Sequence, residues 1–454
     1  MLTTPDTIAE GGRTDNDADG PGFGQGGRDA MRWPGGAGLV IEAGTVPDPA
    51  LSPVEVIADE AALLPEPGQT LRLEPLVEAG AEVAQGAPLA RLRQAPQIAL
   101  TAPMPGRVAA LDLAPGRILS QIVLFHEPEA GRHEHVVAAN AEGLRAALQG
   151  AGVWRLIRRR PFGGMPPPDE RPVAIAVMAV DSRPGAPDPL LAISEAGEAF
   201  ARGLTVLGSL TDGPVLVVLP VGAGIAGMPD LGGRLRRVIA AEGHPHGLAG
   251  MQVHTHHPAS TTAPVWDIHA EDVAGIGSFV ETGLVPAARL VAVGGDGLRA
   301  ARLVRTQPGA HLGALSRHLL SPGAHRVFSG SFLEGREQAF LGPRDRQVTV
   351  LARPPTPAAP RRPHWFLTAL GGASRPRPLI PTAALDRSLG GSLPAVPLLR
   401  AISAGDAEGA ARLGALSLLP EDLALADYVA AAAPPFSAMF TSLLARMAEE
   451  AGPA

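Results

Sequence analysis

The stretch 77–108 reads VEAGAEVAQGAPLARLRQAPQIALTAPMPGRV, and its residue spacing predicts the architecture of residues 36–130. Glycine and apolar residues recur at a fixed spacing, G-x-x-V-x-x-G-x-x-L over 80–89, and Thr-Ala-Pro follows at 101–103. Short alternating runs separated by Gly and Pro continue on both sides, from about Gly38 to His126. Such runs are typical of a β domain built from closely spaced short strands.

This stretch resembles a biotinyl or lipoyl carrier domain. A carrier domain holds its cofactor on a lysine in a hairpin, which here reads RQAPQ (Arg93–Gln97) and contains no lysine. None of the 454 residues is a lysine, because all 38 basic residues are arginine. The resemblance therefore implies the architecture of a carrier without its chemistry.

Composition excludes several kinds of site. Without lysine, the chain cannot carry biotin or a lipoyl group, form a Schiff base or supply a Walker A lysine. Without cysteine, it has no thiolate ligand, disulfide or thiol nucleophile. A net charge of −7 and the shortness of the basic run RLIRRR (155–160) argue against nucleic-acid binding. No segment has the ~18–20 consecutive apolar residues of a membrane span, and the N-terminus does not read as a secretory signal.

Beyond residue 139 the pattern changes to alternating strands and helices. The runs VAIAVMAV (173–180) and PVLVVLP (214–220) are continuously apolar, as in strands buried on both faces. A helix is predicted between them over Leu190–Leu207, and more helix over DLGGRLRRVIAA (230–241). This order predicts a parallel, Rossmann-like α/β unit. Short strands, a Pro/Arg-rich linker and C-terminal helices follow it.

A glycine run, VGAGIAG, follows the second predicted strand. Gly222, Gly224 and Gly227 match the dinucleotide fingerprint, in which glycines let the backbone approach a pyrophosphate at a helix N-terminus. Met228-Pro229 comes directly afterwards, so the run does not lead smoothly into a helix. A nucleotide site and an ordinary loop are both open interpretations.

Histidines are concentrated in one part of the chain, with six of the 13 lying between positions 244 and 269. Neutral imidazole binds zinc, copper or nickel, which makes His244, His254 and His256 candidate ligands. Their spacing matches no standard metal site. Structural or hydrogen-bonding histidines are the alternative.

The densest positive run is RLIRRRPF (155–162). Arg158 and Arg160 could make bidentate bonds to carboxylates of a partner or to a polar head group, and Phe162 offers a flat apolar face. The alternative is a solvated turn, since most surface charge contributes little.

Several strings together resemble the family of the A subunit of the Na+-translocating NADH:quinone reductase. They occur in the family's order: GVWRLIRRRPFGGMP (152–166), GLTVLGSLTDGPVLVV (203–218), HPHGLAG (244–250), VWDIHAEDVAGIGSFVETG (265–283) and RVFSGSFLEG (326–335). The sequence departs from the family at Gln252, where a histidine is expected. It also departs at AAAAPPFS (430–437), which replaces a Cys-Pro-Gly-Lys segment.

The resemblance implies a multidomain protein of the α/β and β classes. The expected domains are a biotinyl-like barrel-sandwich hybrid domain (36–130), a Rossmann-like α/β domain (139–287), a small SLBB-like β-grasp domain (288–351) and a C-terminal helical region (394–454). Composition adds a disordered extension (1–35), rich in Gly, Asp and Arg and extra to the family, and a Pro/Arg-rich linker (352–393).

The resemblance also implies a function. It predicts a non-catalytic, cofactor-free peripheral subunit on the cytoplasmic side of the bacterial inner membrane, in a complex that couples electron transfer from NADH to Na+ translocation. FAD, FMN, riboflavin and iron–sulfur clusters would belong to other subunits, and this chain would contact the membrane-embedded B subunit near the ubiquinone site. The residues expected at that contact are Arg158, Arg160, Pro161, Phe162, Leu63, Leu64 and Gly68.

Two other functions remain open on the sequence. A diverged member could be a non-redox scaffold or could assist the assembly of another membrane complex. A stand-alone NADH-binding oxidoreductase would use Gly222, Gly224 and Gly227.

Overall fold

The computed structural model describes residues 30–32, 38–353, 379–432 and 434–452. Most of the predicted disordered extension (1–35) lies outside the described residues, as does the greater part of the predicted linker, 354–378. Within the extension, residues 30–32 form a strand.

The N-terminal part of the chain is built from short strands. In chain order the first nine are β1 (Ala30–Arg32), β2 (Val54–Glu55), β3 (Glu60–Leu63), β4 (Leu73–Pro75), β5 (Glu82–Val83), β6 (Pro88–Leu92), β7 (Ala99–Thr101), β8 (Gly106–Ala114) and β9 (Ile118–His126). Strands β3 to β9 form two antiparallel sheets, in the orders β3-β9-β8-β5 and β4-β6-β7. Leu73, Leu89, Leu100 and Ile122 are fully buried in their common core. The predicted β domain is therefore present.

The hairpin that would carry a cofactor lies at the junction of β6 and β7. Its tip residue Ala95 is buried, and with Ile98 it joins a core cluster that includes Leu148 of helix α1 (Ala141–Gly150) and Trp154. The tip of the carrier-like domain is thus fixed against the next domain.

The second domain contains a six-stranded sheet in the order β1-β13-β12-β11-β14-β10. Its further strands are β10 (Arg158–Arg160), β11 (Ala174–Met178), β12 (Val215–Leu219), β13 (Leu235–Ile239) and β14 (Val265–His269). All neighbours are parallel except β10, which is antiparallel to β14. Every residue of β11 and β12 is buried, as the apolar runs predicted.

The helices of this domain are α2 (Pro189–Ile193), α3 (Gly197–Leu210), α4 (Ala249–His256) and α5 (Ala270–Thr282). The helix predicted over Leu190–Leu207 is thus divided between α2 and α3. The prediction of a helix over 230–241 is wrong, because this segment contains strand β13. Within β13 only Val238 is fully buried, and the strand is held by backbone pairing to β12 and β1. In such a segment, pairing with strands that are distant in sequence outweighs the preference of the local sequence pattern for a helix.

A third unit forms a mixed sheet in the order β18-β17-β19-β15-β16-β2. Its elements are β15 (Arg289–Gly294), β16 (Arg302–Thr306), α6 (Leu312–Ser316), β17 (His325–Ser329), β18 (Arg336–Glu337) and β19 (Gln347–Ala352). Strand β2 enters this sheet from the N-terminal part of the chain and pairs in parallel with β16.

The C-terminal region is helical. Its helices are α7 (Ala383–Arg387), α8 (Ala395–Ala404), α9 (Ala407–Arg412), α10 (Ala424–Ala430) and α11 (Phe436–Ala451). Leu385 of α7 packs in the same core as Phe440 of α11, so this region already begins inside the segment predicted as a linker. Among the described residues, no helix has the length and apolar character needed to span a bilayer.

Helices α3 and α5 pack backbone to backbone. A Cβ atom added at Gly203 would lie 1.9 Å from the carbonyl oxygen of Val273, and one added at Gly277 would lie 1.8 Å from that of Ala199. Only glycine permits so close an approach.

We expect Gly203→Ala to lower the free energy of unfolding by about 1–3 kcal/mol, because the added methyl group must push α3 and α5 apart. Urea unfolding followed by tryptophan fluorescence measures this. Gly150→Ala is the matched control, since an added Cβ there meets no atom within 4 Å. The control should be neutral or stabilising by roughly 0.5–1 kcal/mol. Equal unfolding midpoints for Gly203→Ala and the unsubstituted chain would contradict the packing argument.

Candidate functional site

The arginine-rich run forms strand β10 and the turn after it. Arg158 lies opposite Asp267 of β14, and Arg160 lies opposite Val265. Because side chains alternate along a strand, Arg158 and Arg160 share one face of the sheet. Arg159 pairs instead with Glu170, with 2.6 Å between Nε and Oε2.

Arg158 and Arg160 converge on three carboxylates. Arg160 Nε lies 2.7 Å from Asp267 Oδ2, and its Nη1 lies 2.7 Å from Asp422 Oδ2. The same Nη1 donates to the carbonyl oxygen of Ser417. Arg158 pairs with Asp267, with 3.1 Å between Nη2 and Oδ1, and with Glu421. We call these five charged residues the arginine clamp: Arg158, Arg160, Asp267, Glu421 and Asp422. It joins the α/β sheet to the C-terminal region.

The clamp is buried and its charges are mutually stabilised. The Arg160 side chain is 0% exposed and that of Asp422 is 1% exposed. Burial by itself would raise the pKa of Asp267, but the charges of Arg158 and Arg160 outweigh it and hold that pKa well below its ordinary value. Burial would likewise lower the pKa of Arg160, and the nearby carboxylates, Asp422 first, raise it instead. Both groups are therefore charged at neutral pH.

This geometry corrects the interpretation of Arg158 and Arg160 as residues that face a partner or a head group. Arg160 has no exposed side-chain surface, Pro161 is buried, and Arg158 is occupied by Asp267 and Glu421. The sequence contained one indication, the acid Asp267 among the apolar residues of VWDI (265–268), all of which are buried. The acids near residue 421 are too distant along the chain to be assigned to the same cluster by pattern.

The predicted contact stretches do lie together. Arg155 Nη2 donates to the carbonyl oxygen of Leu64 at 2.8 Å. Arg344 of the third unit donates to Glu66 Oε1 at 2.8 Å and to the carbonyl oxygens of Leu156 and Ile157. The stretch 62–68 and the run 155–162 are thus tied to each other and to the β-grasp unit.

Some side chains on these stretches reach the surface. Gln69 N donates to the carbonyl oxygen of Glu66, which closes a turn over 66–69 with Gly68 at φ 78° and exposed. Leu64 and Phe162 are half-buried, whereas Leu63 is 5% exposed and belongs to the core. We call Leu64, Gly68 and Phe162 the contact ridge, because they are the exposed or half-buried members of the predicted contact set outside the clamp.

The glycine run occupies the loop that joins β12 to β13. Gly222 and Gly227 have positive φ values of 78° and 69°, and Gly224 lies between them. The loop leads into a strand, so the described residues provide no helix N-terminus behind the fingerprint. A pyrophosphate would lack the amide groups that normally bind it there.

The candidate histidine ligands lie on two segments, the turn after β13 and helix α4. His244 is buried after β13, where burial lowers its pKa to about 4 and Ser182 Oγ lies 3.1 Å from Nδ1. His254 and His256 lie on helix α4, where burial lowers the pKa of each. Among the described residues, no group of three His, Cys, Asp or Glu side chains is placed to hold a metal ion.

We expect Arg160→Ala and Asp422→Ala each to destabilise the chain by about 3–5 kcal/mol, because each leaves a buried charge without its partner. The double variant should lose less than the sum of the two. Urea unfolding followed at the buried Trp154 and Trp266 measures the losses. Arg171→Ala is the control, because its ion pair with Asp212 is exposed and should contribute only about 0–1 kcal/mol. An unchanged midpoint for Arg160→Ala would refute a stabilising clamp.

The clamp also predicts a pH dependence. The folded-state pKa of Asp267 lies below the unfolded value of about 3.9, so its carboxylate contributes full stability above that value and loses the contribution as pH falls through the folded-state pKa. The gap in unfolding free energy between the natural chain and Asp267→Asn should stay constant from pH 7 to about pH 5 and begin to close below about pH 4. Asp212→Asn, at an exposed ion pair, should differ from the natural chain by at most about 1 kcal/mol. A gap that widens in acid would contradict the assignment.

Comparison with known families covers most of the chain. The NqrA N-terminal barrel-sandwich hybrid domain matches residues 37–127, the NqrA second alpha/beta domain matches 139–285, and the NQRA C-terminal domain, of SLBB type, matches 290–339. The predicted fold class is confirmed by these matches and by the sheets and C-terminal helices described above.

Individual relatives agree with the domain matches. The A subunit of the Na(+)-translocating NADH-quinone reductase of Pasteurella multocida is 33% identical over 83% of this chain and 92% of its own length. The protein of the same name from Pseudomonas aeruginosa is 33% identical over 82% of this chain and 90% of its own. The air-oxidized NAD+-reducing [NiFe]-hydrogenase structure aligns with 68% of this chain and 64% of its own, at 14% identity and a TM-score of 0.37, and supports no argument. The resemblance seen in the sequence is confirmed, and the chain belongs to the NqrA family, the A subunits of the Na+-translocating NADH:quinone reductases.

Proposed function

We propose that this chain is a peripheral, non-catalytic subunit of a Na+-translocating NADH:quinone reductase. In this proposal it lies on the cytoplasmic side of the membrane and contacts the membrane-embedded B subunit near the quinone site. NADH, the flavins and the iron–sulfur clusters are handled by other subunits. Family membership supports the assembly, and the absence of cysteine and lysine from the sequence fits a chain without thiolate-held clusters or lysine-attached groups.

The observation that carries the proposed contact is the juxtaposition of two stretches that are far apart in sequence. Arg155 and Arg344 hold the stretch 62–68 beside the run 155–162. The clamp beneath fixes the backbone of β10, so the contact ridge is presented by a rigid support. Apolar half-buried side chains on such a support are typical of a protein interface, where they complete their burial on a partner.

Phe162 is the member of the ridge best suited to this role. Its φ of 77° is unusual for a residue with a side chain, and the Arg159 guanidinium lies 5.9 Å from its ring centroid. A backbone conformation that is costly for a residue with a side chain is consistent with a functional position. The clamp arginines have a supporting role in this proposal, since they position the turn and do not contact the partner.

We expect the double variant Leu64→Ala/Phe162→Ala to reduce co-purification with the B subunit by at least tenfold, when all subunits of the reductase are expressed together and membranes are solubilised in detergent. The variant should stay folded, with a modest fall in its thermal unfolding midpoint, because Phe162 is half-buried and packs in part against the C-terminal core. Loss of a well-packed interface anchor typically costs about 2 kcal/mol or more.

The matched control is Leu51→Ala/Val136→Ala, which removes two exposed apolar side chains elsewhere. It should co-purify normally. If the natural chain recovers no other part of the reductase, the proposed function is wrong. If the ridge variant recovers the B subunit as well as the control does, the assembly stands but the ridge is not the contact.

A further inference from the structure

Three arginines of the carrier-like domain lie on backbone segments that are hydrogen-bonded to one another. Leu73 of β4 and Leu92 of β6 are register partners, so Arg72 and Arg93 lie directly opposite each other, and Arg93 N donates to the carbonyl oxygen of Arg72 at 2.9 Å. Arg117 is next to this pair, because its carbonyl oxygen accepts from Leu73 N at 2.9 Å. We call Arg72, Arg93 and Arg117 the arginine surface.

All three side chains face solvent. Leu73 is fully buried, so the alternation along β4 directs Arg72 away from the core, and Arg72, Arg93 and Arg117 are all exposed. In the described part of the chain none of the three forms an ion pair or a side-chain hydrogen bond. They differ in this from the clamp arginines, whose charges are neutralised within the fold.

The arrangement is electrostatically unfavourable for the isolated chain. Opposite positions in antiparallel strands place Cβ atoms about 4.5–5.5 Å apart, and like charges there are destabilising. The next pair on the same face of these strands, Glu74 and Arg91, has opposite signs. The like-charged pair of Arg72 and Arg93, extended by Arg117, is thus only partly offset by Glu74 on the same face, and an added anion would stabilise it.

The surface favours phosphate groups of a membrane over a small soluble anion. The arginines lie on the outward face of a sheet, and guanidinium groups bind phosphate through two parallel hydrogen bonds. Leu76 comes two residues after Glu74 and is 46% exposed. Leu76 thus adds an exposed apolar side chain four residues after Arg72, and at a bilayer interface apolar side chains insert while cations contact headgroups.

The position of the arginine surface in the chain also favours a membrane, an inference that rests on the proposed function. Arg72 follows the stretch 62–68 by only four residues. If that stretch contacts a membrane protein, the arginine surface lies close to the same bilayer. We propose that Arg72, Arg93 and Arg117 bind the phosphate groups of anionic phospholipids and orient the chain on the membrane.

Co-sedimentation with vesicles tests the proposal on the full purified chain. Because the net charge is −7, the chain as a whole should be repelled by anionic vesicles, and any binding must come from a local surface. We expect binding to vesicles of phosphatidylcholine with phosphatidylglycerol, little binding to phosphatidylcholine alone, and loss of binding at high salt. Each arginine should contribute about fivefold, the factor that corresponds to about 1 kcal/mol, and Arg72→Gln/Arg93→Gln/Arg117→Gln should weaken binding about a hundredfold.

The control variant Arg171→Gln/Arg326→Gln/Arg412→Gln changes the net charge by the same amount at exposed arginines elsewhere. It should bind anionic vesicles as well as the natural chain or only slightly less. Thermal unfolding of both triple variants checks that they are folded. Equal binding to both kinds of vesicle, or equal losses in the two triple variants, would overturn the proposal.

The outcomes separate this inference from the proposed function. Vesicle binding needs no protein partner. If the natural chain does not bind anionic vesicles but co-purifies with the B subunit, only the lipid proposal is overturned. If the arginine-surface variant then loses the B subunit, the surface serves an acidic protein segment instead. A chain that binds anionic vesicles but recovers no other part of the reductase overturns only the proposed function.

Discussion

The structure depends on a buried guanidinium. Arg160 cannot be hydrated where it lies, and a charge without water must be met by opposite charge and hydrogen-bond acceptors. Asp267 supplies one from the sheet, and Asp422 and the Ser417 carbonyl oxygen supply others from the C-terminal region. Any arrangement that moves the C-terminal region away would leave Arg160 with Asp267 alone and would remove the donor shared by Asp422 and the Ser417 carbonyl oxygen. The relative position of the two parts is therefore specified by electrostatics as well as by apolar packing.

The carrier-like domain shows how a fold is retained when its usual chemistry is absent. In a carrier the hairpin tip must stay free, because the attached group travels between sites. Here Ala95 at the tip is packed with Ile98 and Trp154 in the core of the neighbouring domain. The small side chain of Ala95 lets the hairpin approach the neighbouring domain closely. Because the hairpin has no lysine, no charged side chain at its tip needs contact with water. The tip has become a fixed point of attachment between domains.

The sequence predicted the parts of the fold that depend on local pattern. The runs at 173–180 and 214–220 are apolar at every position that the sheet buries, so their strands could be recognised. Strand β13 could not, because its arginines and its neighbouring glycines carry no strand periodicity and its partners lie elsewhere in the chain. Arg160 was misjudged for a related reason. A run of three arginines ordinarily lies at the surface, and the acids that permit its burial are 107 and 262 residues away. The closeness of stretch 62–68 to the same run came from the family resemblance, and no local pattern contained it.

Strand β2 has a consequence for how this architecture could have been assembled. Val54 and Glu55 leave the N-terminal part of the chain to complete the edge of the third sheet beside β16. The segment 38–55 also pairs with the second domain, where Leu39 and His244 exchange backbone hydrogen bonds. A gene segment encoding only residues 288–352 would thus specify a sheet with an uncovered edge. Transfer of this unit to another protein with its edge strand intact would therefore require residues 54–55 to be transferred with it.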